Sequence, residues 1–165
     1  MGGVTVRRME LVERPSMPAG YGIRTNGEGT VAWSWVEQQL TRGRNYWVCT
    51  TRDDGRPHSM PVWGVWVDDA LLFSTDPTSI KGRNIAARPD IVVHLESGDE
   101  VVVLEGRAAR MSAGRLTAFV EAYAEKYGHR VDTDNADYGL YELVPEQALA
   151  WREADFPTSA TRFRR

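Results

Sequence analysis

Cysteine, lysine and long apolar runs are what this 165-residue sequence has least of. A single cysteine, Cys49, excludes an intrachain disulfide and a thiolate metal cage built from one chain. The expected setting is therefore cytoplasmic. Nothing approaches the roughly 18 uninterrupted apolar residues of a membrane-spanning helix. The opening MGGVTVRRMELVERP carries Arg7, Arg8 and acidic residues where a signal peptide needs an apolar stretch. Val6 also stands where a myristoylation pattern needs Ser or Thr. The net charge of -3 lacks the basic field that nucleic acids require, so any phosphate site must be local. Of the 20 basic residues only Lys81 and Lys126 are lysines, a skew that arginine-biased composition accounts for. The expectation is a protein whose ligand is a small anion, without a nucleic-acid or membrane partner.

What is present is a 42 % hydrophobic chain, enough for one core and one domain. Residues 1–30 mix Pro15, Pro18, Gly20, Gly22, Gly27 and Gly29 and read as an arm or wrapping loop. From Trp33 the apolar spacing becomes helical through Val36 and Leu40, with Gly43 as terminator. The period then changes to two. NYWVCTT, PHSMPVWGVWV and ALLFST read as three strands joined at Asp54-Gly55 and Asp68-Asp69, an antiparallel meander. A helix capped by Thr78 or Ser79 and stopped at Pro89 follows. DIVVHLE and EVVVLEGRAARM are strands, Ala113–Tyr127 is an amphipathic helix, and YGLYELVPEQALAW and ATRFRR are closing strands with a break at Pro145. The fold class is mainly β (α+β): a six-stranded antiparallel split β-barrel with a few peripheral helices, spanning residues 31–165.

GYGIRTNG has Thr25 where a dinucleotide fingerprint needs its third glycine, and it follows Pro18 rather than a strand. DTDNAD, Asp132–Asp137, lacks the glycine and glutamate of a calcium loop. His58, His94 and His129 have no ligand-like spacing, so no metal is expected. Cys49 alternates with apolar neighbours and reads as a small buried residue. Trp63 and Trp66, three apart on one strand, face opposite sides, so one of them is available to a ligand or a second subunit. Ser79, Lys81 and Arg83 crowd the first turn of a helix, where unpaired N–H groups favour anions. Lys81 and Arg83 are nevertheless about 200° apart around the axis. Spacing alone leaves two readings open, an anion site and the solvated face of a helix.

The stretch from Asn45 to Met111, above all GRPHSMPVWG, SIKGRN and the closing SATRFRR, resembles the pyridoxamine 5'-phosphate oxidase-like split β-barrel superfamily, in its flavin/deazaflavin oxidoreductase branch. At Phe163 such proteins often carry tryptophan. The resemblance covers about residues 31–165 and implies a homodimer with cofactor sites at the subunit interface. It places the cofactor ring along Met60, Pro61, Val62 and Trp63. The phosphate falls to Thr75, Ser79, Lys81, Arg83 and Asn84, with Trp151 and Arg162 reaching in from the partner subunit. True pyridoxamine phosphate oxidases carry Ser-Arg-Lys at the helix start, where this chain has Ser79-Ile80-Lys81 and its next cation at Arg83. Ser59, Gly64 and Val101 depart from them too. These differences favour the deazaflavin branch, whose cofactor is F-420. The implied activity is hydride transfer from reduced F-420 to an unsaturated organic small molecule. The alternatives are an FMN-dependent oxidoreductase and a non-catalytic flavin or haem binder. No catalytic residue is identifiable, with His58 and Tyr46 as the candidates for a proton donor.

Overall fold

The computed structural model describes residues 9–135 and 138–165. Among these, nine strands form one antiparallel sheet accompanied by four α-helices. The strands are β1 (Leu11–Glu13), β2 (Tyr46–Thr51), β3 (Pro57–Val62), β4 (Gly64–Val67), β5 (Ala70–Thr75), β6 (Asp90–His94), β7 (Glu100–Arg110), β8 (Gly139–Arg152) and β9 (Thr161–Arg164). The helices are α1 (Trp33–Arg42), α2 (Ile80–Ala87), α3 (Leu116–Tyr127) and α4 (Phe156–Ser159). The strand order is β1-β9-β8-β7-β6-β2-β3, with β5 bonded to both β8 and β4. No helix is long and apolar enough to cross a membrane.

The split in the barrel has a local cause in β8. One edge of this strand pairs with β7 along its length; the other pairs with β5 over Gly139–Leu143 and with β9 over Gln147–Ala150. Between those halves the register slips: Glu105 opposes Gln147 while Gly106 opposes Pro145, leaving Glu146 as an extra residue. Pro145 was expected to end a strand. Instead the bulge accommodates the missing N–H and bends β8, and one continuous strand serves both lobes.

The seven stretches read as strands become nine for equally local reasons. PHSMPVWGVWV is interrupted at Trp63, so β3 and β4 are separate. A Cβ on Gly64 would lie 2.9 Å from the carbonyl oxygen of Leu72, so only glycine fits the approach of β4 to β5. The N-terminal arm contributes β1, in register with β9. Asp68 and Asp69 adopt φ of 49° and 60°, a mirror-image turn that aspartate tolerates and that suits the twist of the β4–β5 hairpin.

The core lies inside the sheet, where Tyr46, Val48, Leu71, Phe73, Val93, Leu104, Leu143 and Phe163 meet Val36 and Leu40 of α1. Each such side chain contributes about 1.5–3 kcal/mol by leaving water. β5 is buried on both faces. Ala70, Leu72 and Val65 pack outward against Phe119 and Tyr123 of α3, which explains the unbroken apolar run ALLF. The helix of Ala113–Tyr127 begins as a 3-10 turn, with α3 proper starting at Leu116.

Candidate functional site

The first turn of α2 is built by its cap. Ser79, rather than Thr78, takes that role: its Oγ accepts from the N–H of Gly82 at 3.0 Å and donates to the carbonyl of Asp76 at 2.6 Å. Thr75, at the end of β5, holds its Oγ1 3.4 Å from Ser79 Oγ. Asp76, the nearest carboxylate in this loop, accepts from Thr78 N and Oγ1 at 2.6 and 2.8 Å, which holds its carboxyl below the usual range.

The two cations of the turn part company, as their spacing requires. Arg83 is exposed and folds back so that its guanidinium donates to the carbonyl of Thr78. Lys81 is half-buried, and among the described residues it forms no hydrogen bond or ion pair. Burial lowers its ammonium pKa from the ordinary lysine value. Lys81 also acts on His58 of β3, whose pKa is lowered by burial first and then by the charges of Arg52 and Lys81. Both effects favour the neutral imidazole. Its Nδ1 lies 3.4 Å from Thr50 Oγ1, which in turn accepts from Asn84 Nδ2 at 2.9 Å. Asn84 is 7 % exposed, so its side chain is a strut between α2 and β2, and what it offers a ligand is the placement of its neighbours.

Beside this cluster runs β3, the last strand of its path. Pro57 and Pro61 lack the N–H that a central strand would need, and the side opposite β2 is unpaired among the described residues. Met60 is 48 % exposed and Pro61 is exposed, while Val62 turns its side chain into the core. The exposed apolar residues therefore follow His58, which feels the half-buried ammonium of Lys81, along the same strand. A phosphate suits Lys81, and a planar ring suits Met60 and Pro61.

Trp63 belongs to a different group. It is 40 % exposed and stacks on Tyr127 of α3, with ring centroids 4.6 Å apart and planes 2° apart. Trp66 instead packs against the core, edge-on to Trp33. Lys126 is half-buried here: its Nζ donates to Tyr46 Oη at 2.7 Å and to the Gly64 carbonyl at 3.1 Å, and burial brings its pKa down to about 8. Tyr46 is fully buried and donates to the carbonyl of Leu40, and burial pushes its hydroxyl pKa far up. It is a core residue and no proton donor for a surface reaction. His58 remains beside the candidate site.

Trp151 and Arg162 lie across the sheet from α2 within one chain. Trp151 Nε1 donates to Glu153 at 3.1 Å, and its ring meets Phe156 edge-on in a cleft that Met17 and Tyr21 also line. Arg162 is paired with Glu13 at 2.9 Å. Cys49 corrects an expectation: on β2 it alternates with the buried residues, so it is half-exposed on the outer face, 3.2 Å from Ser59 Oγ. The open groove of about 530 Å³ next to it is rimmed by Asp90, Glu105 and Glu146, charges that oppose an anion. Asp137 of the acidic stretch lies outside the described residues. The residues that sequence reasoning missed are Thr50, Arg44 and Tyr127; the scarcity of lysine was a usable signal for Lys126.

A family model described as "Pyridoxamine 5'-phosphate oxidase" matches residues 36–152. No curated protein matches the chain. Solved structures do. An F-420 reductase has a TM-score of 0.56 at 23 % identity, over 68 % of this chain and 94 % of its own. A conserved hypothetical protein of Mycobacterium tuberculosis reaches 0.66 at 19 % identity, over 78 % and 89 %. The haem storage protein HutZ of Vibrio cholerae reaches 0.61 at 15 % identity, over 70 % and 91 %. At such identities the likeness is one of fold. The model match reaches from α1 to the end of β8 and takes in both the cationic turn and the exposed strand, so the chain belongs to the pyridoxamine 5'-phosphate oxidase family.

Proposed function

We propose that the protein is an oxidoreductase that uses reduced F-420 to reduce an unsaturated organic small molecule. The family binds flavin-type cofactors, and an F-420 reductase is among the structures sharing the fold. The observation that carries the reading is Lys81, a half-buried ammonium without an acceptor among the described residues, near an exposed apolar strand. When bound, the cofactor would supply the hydride. The chain's own residues do the rest. Lys81 and the cap of α2 anchor the phosphate, and the ring lies along the exposed edge of β3 at Met60 and Pro61. His58, whose neutral form burial and Lys81 favour, can donate or accept a proton at its free nitrogen.

The reading includes a homodimer, because Trp151 and Arg162 are remote from α2 in their own chain and would reach the cofactor only from a second copy. Titration of the purified protein with F-420 and with FMN, followed by fluorescence, tests the choice of cofactor. Tighter F-420 binding is expected, and tighter FMN binding would refute it in favour of an FMN-dependent oxidoreductase. Tight cofactor binding without oxidation by any of a panel of nitro, enone and quinone acceptors would instead identify a non-catalytic carrier, a role that the haem storage relative's fold also serves.

A further inference from the structure

Arg44 lies in the short link between α1 and β2, and this link is held on every side. Gly43 N donates to Gln39 O at 2.9 Å. Asn45 Nδ2 reaches both carboxylate oxygens of Glu96 at 3.2 and 3.1 Å. The Gly64 carbonyl is already served by Lys126, which leaves the Tyr127 hydroxyl proton for the carbonyl of Arg44 at 2.7 Å. The guanidinium is fixed as well. Its carbon sits 5.3 Å from the Trp63 ring centroid and 5.8 Å from that of Tyr127. It is exposed, and among the described residues no carboxylate pairs with it. Near-equal distances to two parallel rings set the guanidinium beside the stack, and its N–H fork matches a carboxylate. A second cation, Lys126, stands 5.4 Å from the Tyr127 centroid.

This plate is separate from the turn that carries Lys81. At about 3.3 Å per residue, Trp63, just past the end of β3, lies up to about 17 Å from His58, with exposed Met60 and Pro61 between them. The strand therefore has a cationic group near each end and an apolar middle. We propose that Arg44, Trp63 and Tyr127 form a recognition site for a planar unsaturated carboxylate, with the rings taking the π-face and Arg44 the acid. Combined with the proposed function, on which this step rests, the site makes the acceptor an unsaturated acid.

Calorimetric titration of the full chain, without added cofactor, with trans-cinnamate and with cinnamamide isolates the carboxylate. Cinnamate should bind at least about tenfold more tightly than its neutral amide, the loss expected when a charge-assisted pair is removed. Arg44→Gln, a change at an exposed position, should abolish that preference. Equal binding of the two probes, binding of neither, or a preference that survives Arg44→Gln overturns the proposal. F-420 affinity should be the same in Arg44→Gln and the parent protein. A tenfold loss there would make the carboxylate the cofactor's own and overturn the assignment to the acceptor. Preference for FMN over F-420 would refute the cofactor reading while leaving the cinnamate result standing.

Discussion

Replacing Gly82 by alanine should disable the anion site from within the fold. Gly82 lies in the first turn of α2 and has ordinary helical geometry, so the requirement for glycine is one of space. A Cβ there would lie 2.7 Å from both Cα and O of Pro77, and closer still to the carbonyl oxygen of Asp76. Carbon atoms in good contact stand about 3.5–4.0 Å apart, so the Asp76-Pro77 backbone must retreat by about 1 Å. That backbone is what Ser79 holds, accepting from Ser79 N at 3.1 Å and from Ser79 Oγ at 2.6 Å. Overpacking costs about 1–3 kcal/mol and a loosened cap about 1, while alanine returns about 1 through helix propensity. The net loss is about 1–3 kcal/mol. In urea, with a slope of about 1.5 kcal/mol/M, the unfolding midpoint should fall by about 1–2 M. Tryptophan fluorescence reads this directly. An unchanged or raised midpoint would refute the reasoning, because it would mean that the loop yields freely and does not define the position of Lys81.

Lys81→Met should leave unfolding in urea unchanged or slightly more difficult, since a half-buried charge without a partner among the described residues is removed, and should weaken F-420 binding about tenfold or more. Retained affinity would return Lys81 to the status of a solvated-helix residue. Asn84→Ala should cost about 1–3 kcal/mol in the same unfolding assay, because Thr50 Oγ1 loses its buried donor. Lys126 supplies a pH signature. Its folded pKa of about 8 lies below the unfolded 10.5, so between these values the unfolded state binds more protons and stability rises with pH. Discounted for partial exposure, the gain from pH 8 to 9.5 is about 1 kcal/mol. Lys126→Met should flatten that rise while leaving Tyr46 bonded to Leu40 and the Gly64 N–H bonded to Tyr127 Oη; an unchanged slope in the variant would exclude Lys126 as its source.

Local periodicity determined most of the element types. Val36 and Leu40 at helical spacing, alternation through YWVCTT, and the Asp68-Asp69 turn each follow from the stereochemistry of a few neighbouring residues, and each is in place. The helix argument also held at the site: residues two apart cannot share a face, and Lys81 and Arg83 do not. Prolines 57 and 61 suit the end position of β3, which the tertiary structure supplies.

Only the tertiary structure decided what depends on distant partners. Cys49 and Val48 are equally plausible core residues by type; the face of β2 turned toward α1 and the core buries Val48, and the opposite face leaves Cys49 half-exposed. Pro145 breaks an isolated strand but not one whose neighbour, β7, takes up the slip as a bulge. Tyr46 became a core residue, and Lys126 a buried strut, because α3 returns 80 residues later to the break at Gly64. The Arg44–Trp63–Tyr127 stack likewise joins three elements whose spacing in the chain carries no pattern. Propensity and capping act within a few residues, whereas desolvation, stacking and charge pairing are set by whatever the fold brings alongside.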